Sequence, residues 1–207
     1  MRRLSTLLKQ LLPRRNKAEA PAMLFIHEDD WGQIEVLPAS CRERCRREIA
    51  RITEQAERSA LPLDAGWSEL AVRNSPPEQI SNLKIAIADV VALFSQLLPQ
   101  LEGVTTGSFS SAQRVPRLLA FGFGQGAAIV IAPDRSSMYV DALTLSLDTS
   151  EHDARRRILA ALAALSPAAP APLMLVDWPQ GCSLLLSDRA AIDRYVVGSP
   201  DDLGGGR

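Results

Sequence analysis

Four short runs of β-forming residues constrain the fold of this chain more than any other feature. They lie at residues 103–109, 117–123, 127–132 and 138–147, and at most seven residues separate one run from the next. Connections this short join antiparallel neighbours, because a parallel crossover needs a dozen or more residues. The runs therefore predict an antiparallel sheet.

Helical patterns lie on both sides of these runs in the sequence. Apolar residues recur at helical spacing in 40–59, 86–98, 150–165 and 188–196. Further strand-like segments lie at 23–27, 33–37, 68–73, 173–177 and 183–186. Helices and strands do not alternate regularly, which disfavours a doubly wound parallel sheet. We predict an α+β fold, in which about three helices cover one face of an antiparallel sheet.

Charge divides the chain into a basic leader and an acidic body. Residues 1–22 contain six basic residues and one acid, whereas 17 bases and 23 acids remain in residues 23–207. The leader is predicted to be disordered or a short helix, residues 23–197 a single α+β domain, and residues 198–207 a disordered tail. A basic amphipathic helix that lies on a membrane is an alternative for the leader.

The acidic body disfavours phosphate binding, so no nucleic-acid partner is expected. No apolar run approaches the ~20 residues that span a bilayer, and the leader lacks the features of a secretory signal. These observations predict a cytoplasmic protein that is not integral to the membrane. The sequence does not indicate an oligomeric state.

Cysteines and glycines suggest two kinds of functional site that the surrounding pattern disfavours. Cys41 and Cys45 share the apolar stripe of the predicted helix 40–59, so they are expected to pack in the core rather than bind metal. The glycine-rich segment 122–127 lacks the spacing of a nucleotide-binding loop, and the apolar runs beside it predict a hairpin turn. No cofactor and no metal are expected.

The stretch IHEDDWGQIEVLP, residues 26–38, is the main candidate for a functional surface. Two predicted strands, 23–27 and 33–37, flank an acidic turn, which predicts a hairpin. Adjacent carboxylates repel one another, so the turn is expected to lie in water or beside a cationic partner. A solvated turn, a protein-recognition surface and a metal or catalytic site are the three interpretations. For recognition, the candidate partner-binding residues are Glu28, Asp29, Asp30 and Trp31.

The same stretch, together with residues 175–178 (Leu-Val-Asp-Trp), resembles small bacterial immunity proteins encoded beside polymorphic or type VI secreted toxins. The resemblance implies a protein that neutralises a cognate toxin by direct binding, without catalytic residues. An acidic surface around a tryptophan is suited to a partner with a basic surface. The predicted function is therefore that of a non-enzymatic cytoplasmic binding protein.

Two alternatives remain open at the level of sequence. One is a hydrolase-like enzyme whose site assembles only in the fold, around His27, the carboxylates of residues 28–30, and Cys182. These groups would then line one concave pocket and titrate abnormally. The other is a membrane-peripheral accessory protein, which depends on residues 1–17.

Overall fold

A computed structural model describes residues 23–59, 78–108, 111–124, 126–149 and 151–197. The basic leader, the predicted strand 68–73 and the predicted disordered tail 198–207 lie outside these ranges. The described ranges form an α+β fold, as the sequence predicts.

A six-stranded antiparallel sheet forms the centre of the fold. Its strands are β2 (Ile34–Pro38), β5 (Leu119–Phe123), β6 (Ala127–Pro133), β7 (Val140–Leu147), β8 (Leu173–Asp177) and β9 (Cys182–Leu185). Their order in the sheet is β5-β6-β7-β2-β8-β9. Tight connections explain the β5-β6-β7 meander and the β8-β9 hairpin, whereas β2 enters the middle of the sheet from far away in the sequence.

A second sheet has three strands, β1 (Met23–His27), β3 (Gly103–Ser108) and β4 (Ser111–Val115), in the order β1-β3-β4. Strand β1 runs parallel to β3, with Met23 opposite Gly103 and His27 opposite Gly107. Strand β4 is antiparallel to β3. Leu24, Ile26 and Val104 of this sheet pack on Ala128 and Val130 of the large sheet.

Four α-helices within the described ranges cover the large sheet on both faces. They are α1 (Arg42–Ser59), α2 (Ile87–Leu97), α3 (His152–Leu165) and α4 (Arg189–Val197). Helices α2, α3 and α4 contribute to the main core on one face, as the sequence predicts. Helix α1 lies on the opposite face beside β9. No helix within the described ranges is long and apolar enough to cross a membrane.

Alternating residues of the central strands supply both faces of the core. In β8, Leu173 and Leu175 belong to the core beneath α2, α3 and α4, while Met174 and Val176 belong to a second cluster with Cys41 and Cys45. This alternation follows from the two-residue period of a strand. It explains why β8 is apolar from Leu173 to Val176, since each of its faces is covered.

The structure corrects the predicted hairpin between residues 23–27 and 33–37. Both strands form, but β1 pairs with β3 and β2 pairs with β7 and β8, so they belong to different sheets. The acidic segment between them is a crossover rather than a hairpin tip. The second sheet and strand β4 were not predicted, because residues 111–114 are exposed and carry no apolar alternation.

Two other predictions about local structure are confirmed. Cys41 and Cys45 are each 1 % exposed and lie in the core. The glycine-rich segment connects β5 to β6 as a hairpin, with Phe123 opposite Ala127.

Ile129, at the centre of the large sheet, tests the core. It is fully buried, so Ile129→Ala should leave a cavity that the surrounding side chains fill only in part. The free energy of unfolding should fall by about 2–5 kcal/mol. Met138 is 61 % exposed, and Met138→Ala should change the free energy of unfolding by less than about 0.5 kcal/mol. Urea denaturation of both variants measures the difference; equal losses would contradict this arrangement of the core.

Candidate functional site

A cleft of about 500 Å³ opens at one end of the large sheet. Residues at the end of β7, with Gly126 before β6, form one wall. The start of β2 and the β8–β9 turn form the other wall. The end of β1 and the acidic segment lie across both walls. Its lining residues are Phe25, Ile26, His27, Asp30, Trp31, Gly32, Gln33, Ile34, Gly126, Thr144, Leu145, Ser146, Leu147, Asp148, Asp177, Pro179 and Gln180.

The cleft exists because β2 and β7 separate. Glu35 opposite Thr144 is the one residue pair that joins these two strands in the sheet. By contrast, β6 pairs with β7 as far as Leu147, and β2 pairs with β8 along all five residues. The large sheet is thus two three-stranded halves that meet at one point and diverge towards the cleft.

Gly126 lets the strands approach closely at the base of the cleft. Its φ is +83°, and a Cβ atom placed there would lie 2.1 Å from the backbone oxygen of Asp148. A residue with a side chain would have to move the end of β7. This glycine therefore helps to set the position of Asp148 on the cleft wall.

The acidic segment Glu28–Asp30 forms a single 3-10 turn on the rim of the cleft, and its three residues are exposed. Gln33 holds the turn through its side-chain amide, which donates to the backbone oxygen of Asp29 at 2.8 Å and to Oδ1 of Asp30 at 3.1 Å. Among the described residues, no lysine or arginine forms an ion pair with these carboxylates. Their charge is therefore directed towards solvent.

His27 is in contact with the same turn. Its Nδ1 lies 3.3 Å from the backbone nitrogen of Asp29 and 3.4 Å from Oδ2 of Asp29. The neutral imidazole can accept the backbone N–H, while the protonated ring can instead pair with the carboxylate. In both states the histidine supports the turn.

Trp31 is fixed by the small sheet. Its indole nitrogen donates to Oγ1 of Thr106 at 2.7 Å, and its ring packs with the cluster that contains Leu24 and Ile26. The residue is half-buried and lines the cleft. Trp31 therefore anchors the crossover to the small sheet, and the rest of its surface lines the cleft.

Asp177 is the one buried charged residue among those the structure describes, with 1 % exposure. The hydroxyl of Tyr195 donates to its Oδ2 at 2.5 Å, and the backbone nitrogen of Gln180 donates to its Oδ1 at 2.9 Å. Burial and the adjacent Asp177 carboxylate raise the pKa of Tyr195 far above its ordinary value. The phenol thus remains a hydrogen-bond donor to Asp177 at physiological pH.

The enzyme candidates do not assemble as a catalytic group requires. His27 and Asp30 line the cleft, whereas Glu28, Asp29 and Cys182 do not. Burial first, and the charge of Asp177 second, raise the pKa of the Cys182 thiol to about 12. A thiol with a raised pKa is a poor nucleophile. Within the described ranges, no group of three or more potential ligands could hold a metal ion.

Two of the predicted partner-binding residues, Asp30 and Trp31, line the cleft, but sequence reasoning missed the residues of its other wall. Thr144 and Ser146 alternate with Leu145 and Leu147, which belong to the main core. That polar–apolar alternation is visible in the sequence and could have revealed a wall that is not covered. The burial of Asp177 at the end of an apolar strand has no comparable local signal.

The chain matches no family model, no curated protein and no solved structure. The function is therefore inferred from the geometry of the cleft.

Cys182 provides a test of the enzyme alternative. Because its pKa rises from 9.0 to about 12, the native thiolate fraction at pH 7.5 should be about a thousandfold lower than in the unfolded chain. Iodoacetamide should therefore alkylate native Cys182 at least tenfold more slowly than Cys182 in urea, as measured by mass spectrometry. Faster alkylation in the native state would indicate an activated nucleophile.

Proposed function

We propose that the protein is a non-enzymatic binding protein of the cytoplasm that captures a basic protein partner at the cleft. The observation that supports this most is the acidic rim. Asp30, which lines one side of the cleft, adjoins the exposed Glu28 and Asp29, and the exposed Asp148 lines the other side. No residue of the lining is a lysine or arginine. A surface of this kind attracts positive charge and repels phosphate groups.

The rim and the interior of the cleft serve different parts of binding. Exposed carboxylates accelerate encounter with a basic surface and select against acidic partners. Affinity depends more on apolar groups that become buried, and the cleft offers Trp31 and Phe25, which is 37 % exposed. Because Trp31 is already held by Thr106, little side-chain entropy is lost when a partner covers it.

The partner that we propose is a toxin with a basic surface, neutralised by direct binding. The resemblance of residues 26–38 and 175–178 to immunity proteins suggests this class, and type VI or polymorphic toxins are the first to test. Both segments contribute to the cleft, through Asp30, Trp31 and Asp177 among others. Neutralisation by binding requires no catalytic group of this chain.

Charge reversal on the rim tests the proposed function. The double variant Asp29→Lys/Asp30→Lys places positive charge where we expect a cationic partner, so it should lose at least tenfold in affinity and show a weaker dependence on salt. The partner is first identified by affinity capture from the cells that make the protein. Calorimetry at two salt concentrations then measures the affinity of each variant for that partner.

Asp141→Lys is the matched control. Asp141 is an exposed carboxylate on β7 that does not line the cleft, so its reversal changes the net charge without changing the rim. The control should retain capture and wild-type affinity. Equal binding by all three proteins, or equal losses in both variants, would exclude the rim as the binding surface.

A further inference from the structure

The separation of β2 from β7 leaves part of a strand edge inside the molecule without a strand partner. On its β6 side, β7 is paired up to Leu147 opposite Ala127. On its β2 side, pairing is confined to Thr144. In an antiparallel sheet, alternate residues direct their N–H and C=O groups to opposite edges. The oxygen of Leu147 accepts from the backbone nitrogen of Thr149 at 2.9 Å, and some of the other groups between Leu145 and Asp148 therefore face the cleft.

The opposite wall contains the first residue of β2. Strand β2 pairs with β8 from Ile34 opposite Asp177, which occupies one of its two edges. On the cleft side of Glu35, the other edge of β2 consists of Ile34, where the strand begins, and Ile34 lines the cleft. An extended segment placed in the cleft would therefore lie along the edge of β7, with Ile34 on its other side.

The chain itself fills the other end of the same separation in this way. There, Ala86 pairs with Tyr139 in an antiparallel bridge, the backbone nitrogen of Val140 donates to the oxygen of Ile85 at 2.9 Å, and that of Ile87 donates to the oxygen of Met138 at 2.9 Å. An extended segment thus already pairs with β7 beyond its contact with β2. No described segment does the same between Leu145 and Asp148.

The chemistry of the cleft specifies the occupant. Asp30 and Asp148 are exposed at its mouth, and Thr144 offers a hydroxyl group. The hydroxyl of Ser146 already donates to the backbone oxygen of Gly126 at 3.0 Å. Successive side chains of an added strand point to opposite sides. A segment with basic residues at every second position would direct them all to one side, where the mouth carboxylates can reach them.

We propose that the cleft binds an extended segment of the partner, with Lys or Arg at alternate positions, which adds to the sheet along Leu145–Asp148. This inference rests on the proposed function, since it names the part of a basic partner that is recognised and the way it binds. Strand addition derives affinity from main-chain hydrogen bonds and specificity from alternate side chains.

Synthetic peptides separate strand addition from simple charge attraction. The parent probe is acetyl-Lys-Val-Lys-Val-Lys-Val-Lys-amide, and two analogues carry N-methyl groups on either the three valines or the two inner lysines. N-methylation removes the backbone donors of one edge and keeps the charge. Calorimetry with the full chain should show binding of the parent and at least a tenfold loss for one or both analogues.

Hydrogen exchange locates the bound parent peptide. Amides within residues 144–149 should gain protection when it binds, while those of β4 should not change. Asp30→Asn/Asp148→Asn should weaken the parent peptide at least tenfold, and Asp141→Asn, on the same strand but outside the cleft, should not. Protection elsewhere, or equal affinity of all three peptides, would overturn strand addition.

Two outcomes distinguish this inference from the proposed function. If no peptide binds, but the native partner binds and is lost on Asp29→Lys/Asp30→Lys, the proposed function stands and strand addition fails. If the parent peptide binds only after the basic residues of the leader are replaced by glutamine, the leader itself occupies the cleft. That result would overturn the proposal that a segment of a partner binds there. Those bases are Arg2, Arg3, Lys9, Arg14, Arg15 and Lys17.

Discussion

The joint between Glu35 and Thr144 is the contact on which the rest of the structure depends. It connects a β5-β6-β7 half-sheet to a β2-β8-β9 half-sheet. Helices α2, α3 and α4 hold the two halves from one face through a continuous core. The small sheet and α1 cover different parts of the other face. A sheet joined at one residue pair must diverge on either side of it, and the cleft follows from that divergence.

The position of the acidic segment also follows from this architecture. The chain passes from the small sheet to the large sheet within the six residues between His27 and Ile34, so the crossover must lie over the divergent end. Three adjacent carboxylates avoid mutual repulsion only when they are well hydrated, which keeps the turn at the surface. Trp31 and Gln33 anchor it on two sides. Charge is thereby fixed at the mouth of the cleft.

Sequence periodicity was sufficient to predict most helices and strands, but not to predict which strands pair with one another. The β5-β6-β7 meander and the three helices over one face were predictable, because short connections and helical apolar spacing are local signals. The parallel pairing of β1 with β3 joins Met23 to Gly103, and no local pattern reports a contact so distant in sequence. A short acidic turn that ends in Gly32 instead favoured a hairpin.

The candidate site was predicted in part for the same reason. Asp30 and Trp31 were recognised by their chemistry, and both line the cleft. Asp148 was missed, since an acid after a strand is common and its place opposite Asp30 depends on the separation of β2 and β7. Asp177 was missed because its burial is stabilised by Tyr195, 18 residues later in the chain. Contacts between distant residues therefore complete the site.

Residue-resolved hydrogen exchange of the free full chain, followed by NMR, tests the open cleft most directly. The amides of Val140 and Trp178 donate to Ile85 and Gln33 and should exchange slowly. Between Leu145 and Asp148, amides that pair with β6 should exchange slowly, and at least one amide on the edge that faces the cleft should exchange fast. Uniformly slow exchange across these residues would contradict an open strand edge, and with it the proposed binding site.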